Sequence, residues 1–276
     1  MTSSTIKREQ DGTIVLTINI PSDMVKKTQA AVMESVVKNA NMPGFRKGKA
    51  PKKLVEESVN PQKLSEETLK ELLPQGYMEA VKTHSLRPVM NPKIHVEKLE
   101  EGRDWVFTAT TAEMPQVTLK DYKKAIKDVT AKSKIIIPGN EQKEPSMDEI
   151  MKVFLEQVEI TLPKILVDQE ADRLLAQTLD EIKRLGLTLD QYLASTGKSP
   201  EQLRGEYETK AQNDMKFEFA LQKVSEIEKI TVGEKEIDEA LQKAKDPQER
   251  ANLEKNRYLL ASILRQQKTL DFLKNL

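Results

Sequence analysis

The chain has 276 residues, of which 38% are hydrophobic and 32% charged, and its 44 basic residues balance its 44 acidic ones. It contains no cysteine, which excludes disulfides, thiolate zinc sites and cysteine nucleophiles. The length allows two domains, and a composition this polar, with only 4% aromatic residues, favours long helices with narrow apolar stripes over one thick core.

The first elements predicted are a strand and a helix. Residues 13–20 alternate between apolar and polar side chains, which is typical of a half-buried strand. Residues 22–40 repeat apolar side chains at helical spacing, and Ser22 or Asp23 is the expected cap of that helix.

More helices and a hairpin follow along the chain. Helices are predicted over 52–58 and 61–84, the second bent or broken at Pro74. Strands are predicted over 93–99 and 105–112, joined by a short polar loop that contains a glycine. One strand, then helices, then a hairpin indicates an α+β domain.

A short basic loop lies between the first two predicted helices. Its glycines and prolines end one helix and open the next, which would hold Phe45 at the tip of a turn. The alternative is a solvated loop in which Phe45 packs back against its own helices. A local positive patch on a neutral protein favours docking of an anionic partner. From 35 to 55 the chain has no acidic residue and six basic ones: Lys38, Arg46, Lys47, Lys49, Lys52 and Lys53.

The octapeptide at 44–51, Gly-Phe-Arg-Lys-Gly-Lys-Ala-Pro, resembles the ribosome-docking signature of the trigger factor family. The resemblance extends on both sides, from the strand at 13–21 through the hairpin at 89–117, and resumes from about 160 to 240. It implies a bacterial chaperone that waits at the peptide exit tunnel of the ribosome. By this resemblance, the residues that dock on the large ribosomal subunit are Gly44, Phe45, Arg46, Lys47, Gly48 and Lys49.

Residues 131–145 are rich in lysine, include Pro138 and Gly139, and are predicted to be a linker. In full-length members of the family a prolyl isomerase domain occupies this part of the chain. The room from 130 to 146 is too short for such a domain, because folds below ~40 residues usually need disulfides or metals. We therefore predict an α+β ribosome-binding domain over 1–130, the linker, and no isomerase domain.

From 146 to 276 the sequence predicts an extended, all-α domain, in which two helices would each be on the order of 40–45 Å long. By the resemblance, it forms a partly apolar cradle for substrate polypeptide; without the resemblance, an ordinary helical bundle or a coiled-coil dimer fits as well. Helices are expected over 147–160, 163–185, 189–195, 200–229, 232–245 and 247–275. Capping-box spacing marks five helix starts: Ser146, Thr188, Ser199, Thr231 and Asp246.

No residue pattern predicts catalysis or a cofactor. His84 and His95 are the only histidines, and neither lies at metal-ligand spacing or beside a nucleophile pattern. The sequence has no Gly-rich phosphate loop, so no nucleotide site is expected. We predict no catalytic residue, no metal and no cofactor.

These observations together predict an ATP-independent chaperone that docks at the exit tunnel and holds nascent or unfolded polypeptides. The first residues lack the apolar core of a signal peptide, and no apolar run approaches the roughly 18 residues of a membrane span. We therefore expect a soluble, cytoplasmic protein without membrane contacts, for which a homodimer is an option. Three alternatives stay open: a peptidyl-prolyl cis-trans isomerase, a basic-loop RNA-binding protein without chaperone activity, and an extracytoplasmic chaperone with a similar helical arm domain.

Overall fold

The computed structural model describes residues 2–43, 45–46, 51–100, 102–133, 146–243 and 246–276. Its contacts form two compact units. The N-terminal unit comprises Met1–Met114 and Pro163–Leu166, and the helical unit comprises Pro115–Leu162 and Val167–Leu276. An α+β unit followed by a mainly helical one confirms the predicted fold class.

The elements of the N-terminal unit are, in chain order, β1 (Ser3–Arg8), β2 (Thr13–Ile20), α1 (Ser22–Asn39), α2 (Lys52–Ser58), α3 (Pro61–Thr83), β3 (Lys93–Lys98) and β4 (Trp105–Ala112). The four strands form one antiparallel sheet in the order β1-β2-β4-β3. Every element predicted between 13 and 112 is therefore present, within one or two residues of its predicted ends.

The core of this unit lies between the sheet and the helices. Four alternate residues of β2 are completely buried, as the period-two pattern predicted, and each contributes about 1.5–3 kcal/mol by leaving water. They pack with Trp105 and Phe107 of β4 and with Leu72 and Ala80 of α3. The four β2 residues are Ile14, Leu16, Ile18 and Ile20.

Helix α3 approaches the sheet closely at a glycine. A Cβ atom on Gly76 would lie 3.2 Å from Cζ of Phe107 and 3.3 Å from Cγ2 of Ile18. The helix continues through Pro74, so the predicted alternative of a break there is wrong. Burial of the neighbouring turns against the sheet offsets the hydrogen bond that proline removes.

Two features of this unit depend on distant residues and were not predicted. Strand β1 pairs with β2 although its polar sequence shows no strand alternation. Helix α1 begins without a side-chain cap from Ser22 or Asp23, so that prediction is wrong. Instead, the backbone N–H of Ser22 donates to Oδ1 of Asp104, 2.9 Å away, in the loop of the hairpin.

The elements of the helical unit are, in chain order, β5 (Val117–Leu119), α4 (Tyr122–Ser133), α5 (Met147–Glu156), β6 (Val158–Ile160), α6 (Lys164–Arg184), α7 (Leu189–Thr196), α8 (Pro200–Ile227), α9 (Glu234–Lys243), α10 (Pro247–Lys255) and α11 (Arg257–Lys274). The first residues of α6 belong to the segment Pro163–Leu166, which is part of the N-terminal unit. The long helix predicted over 199–230 is present as α8.

The apolar side chains of the helical unit form separate clusters. The cluster at α4 and α5 includes Tyr122 and Phe154, whose rings meet edge to face with centroids 5.8 Å apart. Another lies between α6 and α8 around Ala171 and Ala211. A third joins α9 to α11 through Ile237 and other side chains.

The helical unit begins at Pro115, earlier than the predicted domain end at 130, because α4 is buried among other helices of that unit. Tyr122 and Ile126 are buried in the same cluster as Phe154 and Val224. Residues 131–133 of the predicted linker form the end of α4, and 134–145 lie outside the described residues.

Three helix boundaries in this unit correct the prediction. Helix α5 stops at Glu156, because 158–160 pairs antiparallel with β5, so the unit is not purely α-helical. Helix α9 starts at Glu234, where the N–H of Gly233 donates to Oε2 of Glu236. The helix predicted over 247–275 is two helices, separated at Asn256 (φ −115°, ψ 39°). Asparagine has a low helix propensity, and its side chain competes for backbone hydrogen bonds.

Three of the five capping boxes are confirmed. Ser146, Thr188 and Ser199 each accept an N–H from the third helical residue, and the side chain of that residue accepts the N–H of the cap. Asp246 caps α10 by a different bond, accepting the N–H of Gln248 at 2.9 Å.

Candidate functional site: a turn-held aromatic and exposed apolar side chains

The basic loop connects α1 to α2. Helix α1 ends at Asn39 and the next residue, Ala40, is already extended, three residues before Pro43. Helix α2 starts after Pro51, whose carbonyl oxygen accepts the N–H groups of Leu54 and Val55. Pro51 thus occupies the cap position of α2, directly before the helix predicted over 52–58.

Phe45 and Arg46 are the predicted docking residues that the structure describes. The N–H of Phe45 donates to the carbonyl oxygen of Met42 at 3.1 Å, which closes a turn. The Phe45 side chain is 42% exposed, and Arg46 is exposed beside it. A large aromatic side chain held in a turn and open to solvent can insert into an apolar pocket on a partner. The other predicted docking residues, Gly44, Lys47, Gly48 and Lys49, lie outside the described residues.

The helices on either side supply further positive charge. Lys38, in the last turn of α1, and Lys53, in the first turn of α2, are both exposed. Lys52 is 3.7 Å from Oε1 of Glu56, one turn later in α2. Within the described ranges, Lys38, Arg46 and Lys53 form no ion pair, so their charges are available to an anionic partner.

A second group of side chains, exposed and apolar, lies at the turn between α6 and α7. Helix α6 ends in a Schellman motif, in which Gly186 has φ +75°. The N–H of Gly186 donates to the carbonyl oxygen of Lys183 at 3.0 Å, and the N–H of Leu187 donates to the carbonyl oxygen of Ile182 at 3.1 Å. This geometry exposes three leucines, which we call the leucine turn: Leu185 (76% exposed), Leu187 and Leu189.

A third group lies on α11. Tyr258 is 89% exposed, and Leu259 and Ile263, one helical turn apart, are also exposed. We call these three residues the α11 stripe. The neighbouring face of α11 packs against α9 through Leu260 and Leu264, so the helix is apolar on two faces and only one of them is covered.

An ion-pair network fixes the start of α11. Nη2 of Arg257 lies 2.7 Å from Oε2 of Glu234 and 2.8 Å from Oδ1 of Asp238. Nη1 of Arg257 lies 3.1 Å from Oε1 of Glu254. Hydrogen bonds to Glu234 and Asp238 raise the pKa of Arg257 above its ordinary value. The network joins α9, α10 and α11 beside the α11 stripe.

The histidines show no catalytic arrangement. Nε2 of His84 is 3.1 Å from Oγ of Ser4 and His95 lies on the exposed strand β3. No group of three or more acidic or histidine side chains suited to a metal ion occurs in the described part of the chain. Among the helices of that same part, none is long and apolar enough to cross a membrane.

Two family models match this sequence. The model of the bacterial trigger factor protein matches residues 1–138, and the model of the trigger factor C-terminus matches 118–275. The first match contains the basic loop, and the second contains the leucine turn and the α11 stripe.

This chain is also similar to curated proteins and to a solved structure of the same family. The trigger factor of Staphylococcus epidermidis (strain ATCC 35984) is 36% identical over 121 residues, which is 44% of this chain, and that of Staphylococcus aureus (strain JH9) is 35% identical over the same length. The match spans only 28% of the length of these relatives. A solved structure of the trigger factor chaperone, described for promiscuous substrate recognition in folding and assembly, superposes with a TM-score of 0.66 at 13% identity over 99% of both chains. At that identity the superposition shows a shared fold.

Proposed function

This chain belongs to the bacterial trigger factor family, and on that premise we propose that it is a ribosome-associated chaperone that holds nascent or unfolded polypeptides without ATP. The observation that carries the proposal is the exposed, turn-held Phe45 beside Arg46, in a segment from 35 to 55 that has no acidic residue.

In the proposed docking contact, charge and apolar surface have different roles. Arg46, Lys47 and Lys49 would contact RNA phosphate or an acidic protein patch on the large ribosomal subunit, near the tunnel exit. Phe45 would fill an apolar pocket there, and Gly44 and Gly48 would let the loop turn sharply. Cations attract phosphates over a long range but with little specificity, so the aromatic side chain would fix the position of the contact.

Client binding is assigned to the helical unit. Its leucine turn and its α11 stripe expose several large apolar side chains close together in sequence, and clustered apolar exposure usually marks an interaction site. Contacts of this kind depend little on the exact client sequence, so binding would be weak and reversible.

We further propose that the chain lacks isomerase activity and acts in the cytoplasm, with a homodimer as an additional state. The overlap from 118 to 138 of the ranges matched by the two family models supports this proposal. A proline-containing peptide assay on the full chain should show the uncatalysed rate. Isomerisation faster than the uncatalysed rate would favour the alternative that the chain is a peptidyl-prolyl cis-trans isomerase.

The decisive experiment is co-sedimentation with ribosomes. We expect Phe45→Ala/Arg46→Ala/Lys47→Ala to abolish pelleting with 70S ribosomes while far-UV circular dichroism stays unchanged, because surface substitutions usually alter stability by about 0.5 kcal/mol or less. The matched control, Lys26→Ala/Lys27→Ala/Met78→Ala, also removes two positive charges and one apolar side chain, and does so at exposed positions outside the loop. It should pellet like the wild type.

The alternatives give different results in the same assay. Equal pelleting of the triple variant and the wild type would contradict docking through the loop. Binding to naked RNA with a steep salt dependence, without suppression of client aggregation, would favour the basic-loop RNA-binding protein.

A further inference from the structure

The first turn of α6 receives its cap from a distant part of the chain. The residue before this helix is Pro163, which has no side-chain oxygen, and Leu162 precedes it, so the adjoining sequence offers no local cap. Instead, the backbone N–H of Lys164 donates to Oδ2 of Asp11 at 2.7 Å. Asp11 lies in the turn between β1 and β2, 153 residues earlier in the chain. Its carboxylate also interacts favourably with the positive end of the helix dipole.

The turn between β1 and β2 holds the Asp11 carboxylate in place by itself. Oδ1 accepts the backbone N–H of Thr13 and Oδ2 accepts the Thr13 hydroxyl, both at 2.9 Å. Two backbone bonds close the turn, from the N–H of Glu9 to the carbonyl oxygen of Thr13 and from the N–H of Gly12 to that of Glu9. Burial raises the pKa of Asp11, but the hydrogen bonds from Lys164 and Thr13 outweigh it and lower the pKa below its ordinary value. Two of these three bonds are internal to the hairpin, and one reaches α6.

A second contact joins the same turn to the residue before α6. Gly12 has φ +88°, in the left-handed region that favours glycine. A Cβ atom there would lie 3.4 Å from Cγ of Pro163, so the proline ring lies against the turn. Ile165 and Leu166, which follow in the first turn of the helix, are buried. These contacts explain why 163–166 belong to the N-terminal unit although the rest of α6 belongs to the helical unit.

We propose that the turn at Asp11 and Gly12 is a latch, which holds 163–166 on the N-terminal unit and opens while the sheet stays folded. Burial of the two apolar side chains of this segment favours the closed state. Opening breaks one hydrogen bond to the carboxylate, which stays bonded to Thr13 and gains water in place of the lost donor. The hairpin therefore loses little when the segment leaves, as a releasable contact requires.

The connectivity of the chain gives the latch its effect. The chain passes between the two units at 114–115, at 162–163 and at 166–167. When 163–166 leave the N-terminal unit, the last two passages disappear, and 114–115 is the connection that remains. Opening the latch therefore frees the helical unit to move on one covalent connection. This inference does not depend on the chaperone function.

Hydrogen–deuterium exchange of the full chain tests the latch. In Asp11→Ala the amides of 164–167 should exchange roughly tenfold faster than in the wild type, because the first turn of α6 loses its cap. The amides of β2 and β4 should keep their wild-type rates. Asp11→Asn retains an oxygen acceptor and should exchange at close to the wild-type rate. Unchanged exchange at 164–167 in Asp11→Ala, equal acceleration in β2, or an Asp11→Asn variant as fast as Asp11→Ala would each overturn the proposal.

Asp104→Ala is the matched control for this experiment. Asp104 lies in the same unit and its carboxylate accepts the N–H of Ser22, so the variant removes the same kind of bond from the start of α1. It should accelerate exchange at 22–25 and leave 164–167 unchanged. Acceleration of 164–167 by Asp104→Ala would mean that the whole unit has loosened and would contradict a local latch.

Limited digestion with trypsin gives a second, independent readout. The peptide bond after Lys164 lies in the first turn of α6 beside buried side chains, so cleavage there requires the segment to detach. Asp11→Ala should be cut after Lys164 roughly tenfold faster than the wild type, and Asp104→Ala at the wild-type rate. Cleavage after Lys183, in the last turn of α6, should be equal in all three proteins. Equal rates after Lys164 in Asp11→Ala and the wild type would show that the turn does not control the segment.

Discussion

The two units of this protein bury apolar side chains in different ways. The N-terminal unit collects most of its buried apolar side chains in a cluster between the sheet and its helices, centred on β2 and Phe107, and buries Val32 and Val55 outside that cluster. The helical unit divides them among separate clusters, and leaves the leucine turn and the α11 stripe exposed. A sheet presents a wide apolar face that several helices can cover together, whereas each helix presents a narrow stripe. A polar chain with few aromatics can therefore build one main core in one unit and several smaller cores in the other, while both units leave some large apolar side chains exposed.

The largest effect that tests this comparison is the loss of one buried phenylalanine from each unit. Phe107→Ala and Phe154→Ala should each lower the free energy of unfolding by about 3–5 kcal/mol, because both rings are fully buried. Trp105 is the single tryptophan and lies in the N-terminal core, so its fluorescence reports on that unit alone. Phe107→Ala should shift the denaturant midpoint of tryptophan fluorescence, and Phe154→Ala should shift mainly the far-UV circular dichroism.

Phe107→Leu and Phe154→Leu are the matched controls, because they keep most of the buried volume and should shift the same signals by less. If both alanine variants shift both signals equally, the two units unfold as one and the comparison fails.

Substitution of the α11 stripe should change stability less than loss of a buried phenylalanine, but it should clearly reduce the protection of an unfolded client. Tyr258→Gln/Leu259→Gln/Ile263→Gln should change the free energy of unfolding by about 0.5 kcal/mol or less per site, because all three side chains are exposed. It should nevertheless protect an unfolded client several-fold less well, measured as light scattering during client aggregation, and should pellet with ribosomes normally.

Arg265→Gln/Gln267→Ala, at exposed polar positions of the same helix, is the control and should protect the client normally. Unchanged protection by the stripe variant would leave the leucine turn as the remaining candidate, to be tested by Leu185→Gln/Leu187→Gln/Leu189→Gln. If both variants protect clients fully, the helical unit is a structural element.

The smallest effect is a pH dependence specific to the N-terminal unit. A hydrogen bond from Arg8, together with the backbone N–H of Arg87, lowers the pKa of Glu113. A lowered carboxyl pKa stabilises the fold above the pKa of the unfolded chain, and this contribution is lost as the pH falls through the folded value. Glu113→Gln should therefore be less stable than the wild type at pH 7, by tryptophan fluorescence, and the difference should vanish in acid.

Glu236→Gln is the matched variant of the helical unit, since Lys268 lowers the pKa of Glu236 in the same way. It should leave the fluorescence transition unchanged. A difference between Glu113→Gln and the wild type that stays constant down to low pH would show that the ion pair contributes nothing to this dependence.

Local patterns determined much of the fold. The alternation of 13–20 predicted both the strand and its buried face, because the side-chain period of a strand is two whatever its neighbours. Ser146, Thr188 and Ser199 marked three helix starts correctly, since a capping box is complete within four residues. For the candidate site, the octapeptide identified the basic loop that contains Phe45 and Arg46.

Only the tertiary structure decided the features that need a distant partner. Strand β6 exists because β5 pairs with it, and the start of α1 depends on Asp104, more than eighty residues later in the chain. Helix α3 continues through Pro74 because its packing against the sheet outweighs the local cost. Which apolar side chains stay exposed likewise depends on how the helices pack, because the sequence alone does not distinguish an exposed leucine from a buried one. Local hydrogen bonds and periodicity can be read along the chain, but burial depends on residues that are brought together only by folding.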